Sequence, residues 1–84
     1  MAEVTFYSTG WCPFCVRAKR LLAGKSALVH EIDVDREPGA RQEMMARSGR
    51  RTVPQIWIGD RHVGGCDELF ALERAGELDH LLAG

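Results

Sequence analysis

Apolar and polar positions alternate with a period of two in "VTFYS", Val4–Ser8, where β-branched and aromatic residues suit a pleated surface. Ser8, Thr9 and Gly10 close this run, which predicts a short strand. From Pro13 the period changes: Val16, Ala18, Leu21 and Leu22 recur near helical spacing until Gly24 stops them. Residues 27–35, "ALVHEIDVD", predict a second strand carrying Leu28, Val29, Ile32 and Val34, with Pro38 and Gly39 as punctuation. Residues 40–49, "ARQEMMARSG", are rich in helix formers and end in a glycine suited to a left-handed cap. The run "QIWIG" predicts a third strand, and Gly59-Asp60 before "RHV" predicts a tight hairpin to a fourth. Residues 64–76, "GGCDELFALERAG", open with two glycines, place Asp67 and Glu68 in a first helical turn and close at Gly76. The tail "ELDHLLAG" predicts one more short helical turn.

The resulting order, β-α-β-α-β-β-α, is that of an α/β protein with helices packed on the faces of one sheet. Its first βαβ unit should cross over right-handedly and pair its strands in parallel, while the last two strands form an antiparallel hairpin. At 84 residues, 45% of them hydrophobic, the chain is expected to be a single domain, residues 1–84, able to build its own core. Its 11 basic and 12 acidic residues are interspersed, which leaves no basic face for nucleic acid. The N-terminus carries Glu3 where a secretory signal would want a basic residue, and no apolar run reaches membrane-spanning length. The expectation is a cytoplasmic protein without a membrane partner. Three cysteines, an odd number, argue against a disulfide scaffold of the secreted kind.

Chemistry concentrates in "GWCPFCVRAKR", residues 10–20. Two thiols three positions apart can bind metal, sit buried as structural residues, or make and break one bond. A cysteine just before a first helical turn faces unpaired N–H groups and the positive end of the helix dipole. Such positions lower a thiol pKa from about 8.5 into a range of roughly 3.5–7.5. Cys12 is so placed, Pro13 is tolerated at the first helical position, and Arg17, Lys19 and Arg20 add positive potential. Cys15, one turn further in, is the candidate resolving thiol. A zinc site remains the second reading, with Cys12, Cys15, Cys66 and His62 as a Cys3His set and His30 and His80 as further candidates. Two cysteines buried for packing alone is the third.

"CPFC" after the first strand, "TVPQIWIG" before the hairpin and "GGCDEL" opening the last long helix together resemble a glutaredoxin of the dithiol type. "RAKRLL" and "RSGRRTVPQI" strengthen the likeness to the small bacterial members, and it covers nearly the whole chain. The resemblance implies a thioredoxin-like fold with a four-stranded mixed sheet flanked by helices. It implies glutathione as reductant and co-substrate, no permanently bound cofactor and no metal, and reduction of protein disulfides and glutathione mixed disulfides. Cys12 would attack the disulfide and become glutathionylated, and a second glutathione or Cys15 would then release it. The implied glutathione site comprises Cys12, Phe14, Arg41, Thr52, Val53, Pro54, Gly65, Cys66 and Asp67. The family pattern further implies a cis Val53-Pro54 bond beside Cys12, offering the backbone of Val53 to an extended glutathione. Gly64 and Gly65 permit close backbone approach, and the N–H groups that follow suit the γ-glutamyl carboxylate, with Asp67 or Glu68 for its ammonium. The plainer alternative is that both carboxylates only complement the helix dipole.

Departures from the family pattern matter as well. Many members carry a lysine three residues before the first cysteine, where this chain has Thr9; Arg41 or Gln55 are the candidates to compensate. Phe14 stands where tyrosine is common, and Trp11 is a placement shared with thioredoxins. Both rings are expected in an exposed docking patch for substrates. Cys66 is either a third reactive thiol or a small buried hydrophobe. Two further readings stay open: a redoxin reduced by a thioredoxin reductase, and an iron–sulfur protein holding a cluster through Cys12 of two copies, which the rigid Pro13 disfavours. Expected partners are glutathione, disulfide-containing and glutathionylated proteins, with ribonucleotide reductase among those the family suggests, and the chain is expected to be monomeric.

Overall fold

The computed structural model describes residues 2–84. Strand β1 (Val4–Ser8) leads into helix α1 (Pro13–Gly24), strand β2 (Val29–Asp33) and helix α2 (Ala40–Ser48). Strands β3 (Gln55–Ile58) and β4 (Arg61–Gly64) form the hairpin, followed by helices α3 (Cys66–Arg74) and α4 (Leu78–Ala83). The sheet order is β2-β1-β3-β4. β1 runs parallel to β2, with Val4 opposite Val29, and antiparallel to β3, with Phe6 opposite Ile56. β3 and β4 are antiparallel, and the register shifts between Ile56 and Trp57, which leaves an extra residue on β4 just before Gly64.

Strand alternation sorts the core into two layers. Val4 and Phe6 of β1 and Ile56 and Ile58 of β3 face α1, α3 and α4, where they pack against Ala18, Leu22, Leu69, Leu78 and Leu82. Tyr7 and Trp57 project from the other face onto Ala40 and Met44 of α2 and onto Val34. Every residue of β3 is buried, as a central strand covered on both faces requires. Among the described residues no helix is long and apolar enough to cross a membrane.

Two elements differ from their expected extents. β2 is shorter, because the chain turns at Asp33: its side chain accepts the Asp35 N–H at 2.9 Å and its carbonyl accepts the N–H groups of Arg36 and Glu37. Val34 is still buried, in the turn. The tail forms a complete short helix because Leu78 and Leu82, four apart, fall on one face and complete the core beneath β1 and β3.

Leu22 is fully buried whereas Leu28 is 56% exposed. Leu22→Ala should therefore lower stability by about 2–5 kcal/mol, while Leu28→Ala should stay within about 0.5 kcal/mol of the parent. Urea unfolding of both variants checks this.

Candidate active site

The carboxyl end of β1 delivers the chain through a short loop into α1, and Cys12 is the residue that caps that helix. Its backbone is extended, at φ −154° and ψ 102°, and its Sγ accepts the N–H of Cys15 at 3.1 Å. This is the bond that a serine or aspartate oxygen makes at other helix starts, here made to sulfur. Pro13 fills the first helical position, where its missing N–H costs nothing, and the Cys12 carbonyl already accepts the Val16 N–H at 3.1 Å. On its other side the Cys12 thiol faces the Val53 carbonyl, 3.9 Å away. The Val53-Pro54 peptide bond is cis.

The two thiols of the pair occupy different surroundings. Cys12 is partly exposed, whereas Cys15 is 1% exposed. Burial above all, then its hydrogen bond with Cys12, pushes the Cys15 thiol up to about 12, with the Thr9 backbone and the Lys19 charge opposing. Cys66 is buried too, and burial raises its pKa as well. Of the three cysteines Cys12 is partly exposed, whereas Cys15 and Cys66 are buried.

Beside Cys12 lies a groove of about 320 Å³. Phe14, Thr52, Val53, Pro54, Gly65, Cys66 and Asp67, all singled out from the sequence, line it together with Arg50, Gln55 and Glu68. The start of α3 comes close to the Pro54 segment because residues 64 and 65 are glycines. A Cβ on Gly65 would sit 3.2 Å from the Pro54 carbonyl oxygen, and one on Gly64, whose φ is +114°, would meet Glu68 Oε1 at 2.6 Å.

Other expected residues take different places. Arg41 is absent from the groove lining; its guanidinium pairs with Asp35 at 2.8 Å, across the turn that precedes α2. Gln55 does line the groove, but its side chain is fully buried and its amide is engaged with the Thr52 carbonyl. The Thr9 hydroxyl contacts the Trp11 carbonyl at 3.4 Å. The basic residue in the groove is Arg50, which the sequence reading passed over. Gly49 ends α2 in the left-handed conformation, Ser48 and Arg50 exchange two hydrogen bonds, and the Arg50 guanidinium reaches Glu68 at 3.1 Å. A glycine cap followed by two arginines directly before "TVP" was the available signal.

Glu68 turns back to accept the Gly65 N–H at 2.7 Å, a capping arrangement. That bond foremost, and Arg50 after it, holds its carboxyl below the usual range. Among the described residues Asp67 makes no ion pair, and its carboxylate is exposed at the groove wall. Trp11 is 90% exposed and Phe14 54%, so two aromatic rings flank Cys12 on the surface.

The zinc alternative does not assemble: among the described residues no three His, Cys, Asp or Glu side chains come together as a ligand set. His62 stacks on Trp57 with ring centroids 4.6 Å apart, and His30 pairs with Glu3 at 3.3 Å.

The lowered Glu68 pKa gives a signed prediction. The stability that its carboxylate contributes is fully present above its unfolded value, about 4.3, and is lost as the pH falls through the lower folded value. Glu68→Gln should therefore be less stable than the parent at pH 7, and the gap should close in acid; denaturant melts across that range measure it.

Comparison with known proteins agrees with this geometry. A family model described as glutaredoxin matches residues 4–63. The chain is 55% identical over 83 residues to a glutaredoxin of Pseudomonas aeruginosa, covering 99% of both chains. It is 50% identical over 82 residues to glutaredoxin 3 of Escherichia coli, covering 98% of this chain and 99% of that one. A crystal structure of a buckwheat glutaredoxin–glutathione complex superposes with a TM-score of 0.89 at 31% identity, over 95% of this chain and 76% of that one. The fold is thioredoxin-like, and the chain belongs to the glutaredoxin family of thiol–disulfide oxidoreductases.

Proposed function

We propose that the protein reduces glutathione mixed disulfides and protein disulfides with glutathione as its electron donor, through Cys12 as nucleophile. The observation that carries this is the pairing of one accessible thiol, at a helix start, with a groove that ends beside it.

In the monothiol course the Cys12 thiolate attacks the glutathione sulfur of a mixed disulfide, and the target leaves as its thiolate. A glutathione thiolate then attacks the glutathionyl sulfur on Cys12, forming oxidised glutathione and returning the Cys12 thiolate. With a protein disulfide, Cys12 forms a mixed disulfide with the substrate. Cys15 loses its proton and attacks the Cys12 sulfur, which expels the substrate's remaining thiolate and leaves a Cys12–Cys15 disulfide. Two glutathiones reduce that bond and are oxidised to one disulfide. Burial and the neighbouring Cys12 keep Cys15 a thiol at neutral pH in the reduced protein.

Each groove residue has a matching role in holding glutathione. The Val53 backbone lies at the start of the central strand, and its N–H donates no hydrogen bond within the described residues, which suits pairing with the tripeptide's own backbone. Thr52 and Pro54 flank it, and Phe14 covers the apolar stem. The N–H groups at Gly65 and Cys66 fit the γ-glutamyl carboxylate and Asp67 its ammonium. Arg50 takes the electrostatic part first assigned to Arg41, because Arg50 is the cation that lines the groove. Trp11 and Phe14 offer apolar contact to protein substrates. Three cysteines, an odd number with one close pair, fit a reducing compartment such as the cytoplasm better than a disulfide scaffold.

Reduction of a glutathione mixed disulfide, coupled to glutathione reductase and followed by loss of NADPH, should show turnover. Activity only with thioredoxin reductase in place of the glutathione system would refute glutathione as donor. Cys12→Ser should abolish all turnover and Cys15→Ser should keep that of small glutathione mixed disulfides. At pH 7, iodoacetamide should label Cys12 alone in the reduced protein, with Cys15 joining only as the pH is raised; peptide mapping reads the positions.

A further inference from the structure

A polar relay at the groove wall, from partly buried His62 through buried Gln55 to exposed Thr52, takes no part in the thiol chemistry. Gln55 is fully buried, and its amide Nε2 donates to the Thr52 carbonyl at 3.0 Å and to the Thr52 hydroxyl at 3.3 Å. Its Oε1 lies 2.8 Å from His62 Nε2. Carbonyl oxygens do not hydrogen-bond one another, so the Thr52 carbonyl requires the amide NH2 of Gln55 on its side, and the Gln55 oxygen then faces His62. His62 Nε2 must consequently be the donor. Burial first, then Arg50, holds the His62 pKa below its ordinary value, with Glu68 opposing and Arg47 adding to the lowering. The ring is therefore neutral at pH 7 and carries its proton on Nε2. Trp57 fixes its plane from beneath, stacked at 27°, with the Arg47 guanidinium also over the indole at 4.4 Å.

The consequence reaches the groove through one peptide plane. Thr52 C=O and Val53 N–H belong to the same trans peptide, so they point in opposite directions. With the carbonyl bonded to the Gln55 amide, the N–H points away from that amide, and it donates to no protein group among the described residues. We propose that His62 and Gln55 are positioning residues that aim the Val53 N–H into the groove as the donor for a backbone carbonyl of glutathione. The bond from His62 holds Gln55 in the amide orientation that the Thr52 carbonyl selects, Gln55 in turn holds the Thr52–Val53 peptide, and the peptide presents the donor. A network in which the buried amide of Gln55 has a partner on both its nitrogen and its oxygen holds one orientation, whereas a half-satisfied one costs stability and loses it. The proposal rests on the glutathione reading of the groove.

The test compares wild type with His62→Phe, which keeps a ring over Trp57 but has no donor, and His62→Gln, which returns an N–H near the position of Nε2. Melting temperatures establish that the variants are folded. In the coupled assay His62→Phe should raise the glutathione KM about three- to tenfold with kcat at saturating glutathione unchanged, and His62→Gln should recover most of the loss. An unchanged KM in folded His62→Phe, or equal damage in both variants, overturns the relay while the wild-type turnover keeps the glutathione reading. Absence of glutathione turnover in wild type removes that reading and the proposal with it. Nitrogen NMR of wild type tests the relay without variants: it should find His62 in the Nε2–H form and a Val53 amide that shifts on adding S-methylglutathione, which cannot exchange with Cys12. A proton on Nδ1 or an unmoved Val53 amide contradicts it.

Discussion

The hydrogen bond from the Cys15 N–H to the Cys12 sulfur is the contact around which the site is arranged. It places one sulfur at the positive end of α1 and, through the same turn of helix, sends the other into the core beside Ala18 and Leu22. Two chemically identical side chains three residues apart thereby acquire opposite roles. The outer one is partly exposed beside the groove; the inner one is enclosed by the core. Pro13 secures the arrangement by starting the helix where an N–H would otherwise lack a partner.

The groove is built from the ends of elements that a single sheet brings together. β1 aims the α1 start, the segment before β3 supplies Thr52 to Pro54, and the bulge in β4 leads to the glycines that open α3. Each wall is rigid for a local reason: buried Gln55 behind Thr52, the Glu68 cap on Gly65, and the Ser48 bonds around Arg50. The accessible surface is then small, with Asp67 and Arg50 as opposite charges on its walls.

Local sequence carried much of this. Alternation marked β1, an apolar run before a Gly-Asp turn marked β3, the glycines at 24, 49 and 76 fell at helix ends, and the cysteine pair stood at a strand-to-helix junction in the right order. Tertiary partners were harder to see. Arg41 looked available as a groove cation because nothing local ties it down, and Asp35 claims it only after the turn at Asp33 folds back. Arg50 and Arg51 are equivalent on paper, and the glycine cap at the end of α2 decides which reaches Glu68. Glu68 and Asp67 likewise differ by one position on a helix: the third helical residue can reach back to the cap N–H, leaving its neighbour free. The Gln55–His62 pair depends on a bulged hairpin register that no periodicity reveals.

The central claim is that Cys12 is the single point of covalent exchange with glutathione. Its most direct test is to treat reduced Cys15→Ser protein with oxidised glutathione at neutral pH and locate the adduct by mass spectrometry of its peptides. One glutathionyl group on Cys12, with Cys66 unmodified, is the predicted result. Modification of Cys66, or none at Cys12, would contradict the account.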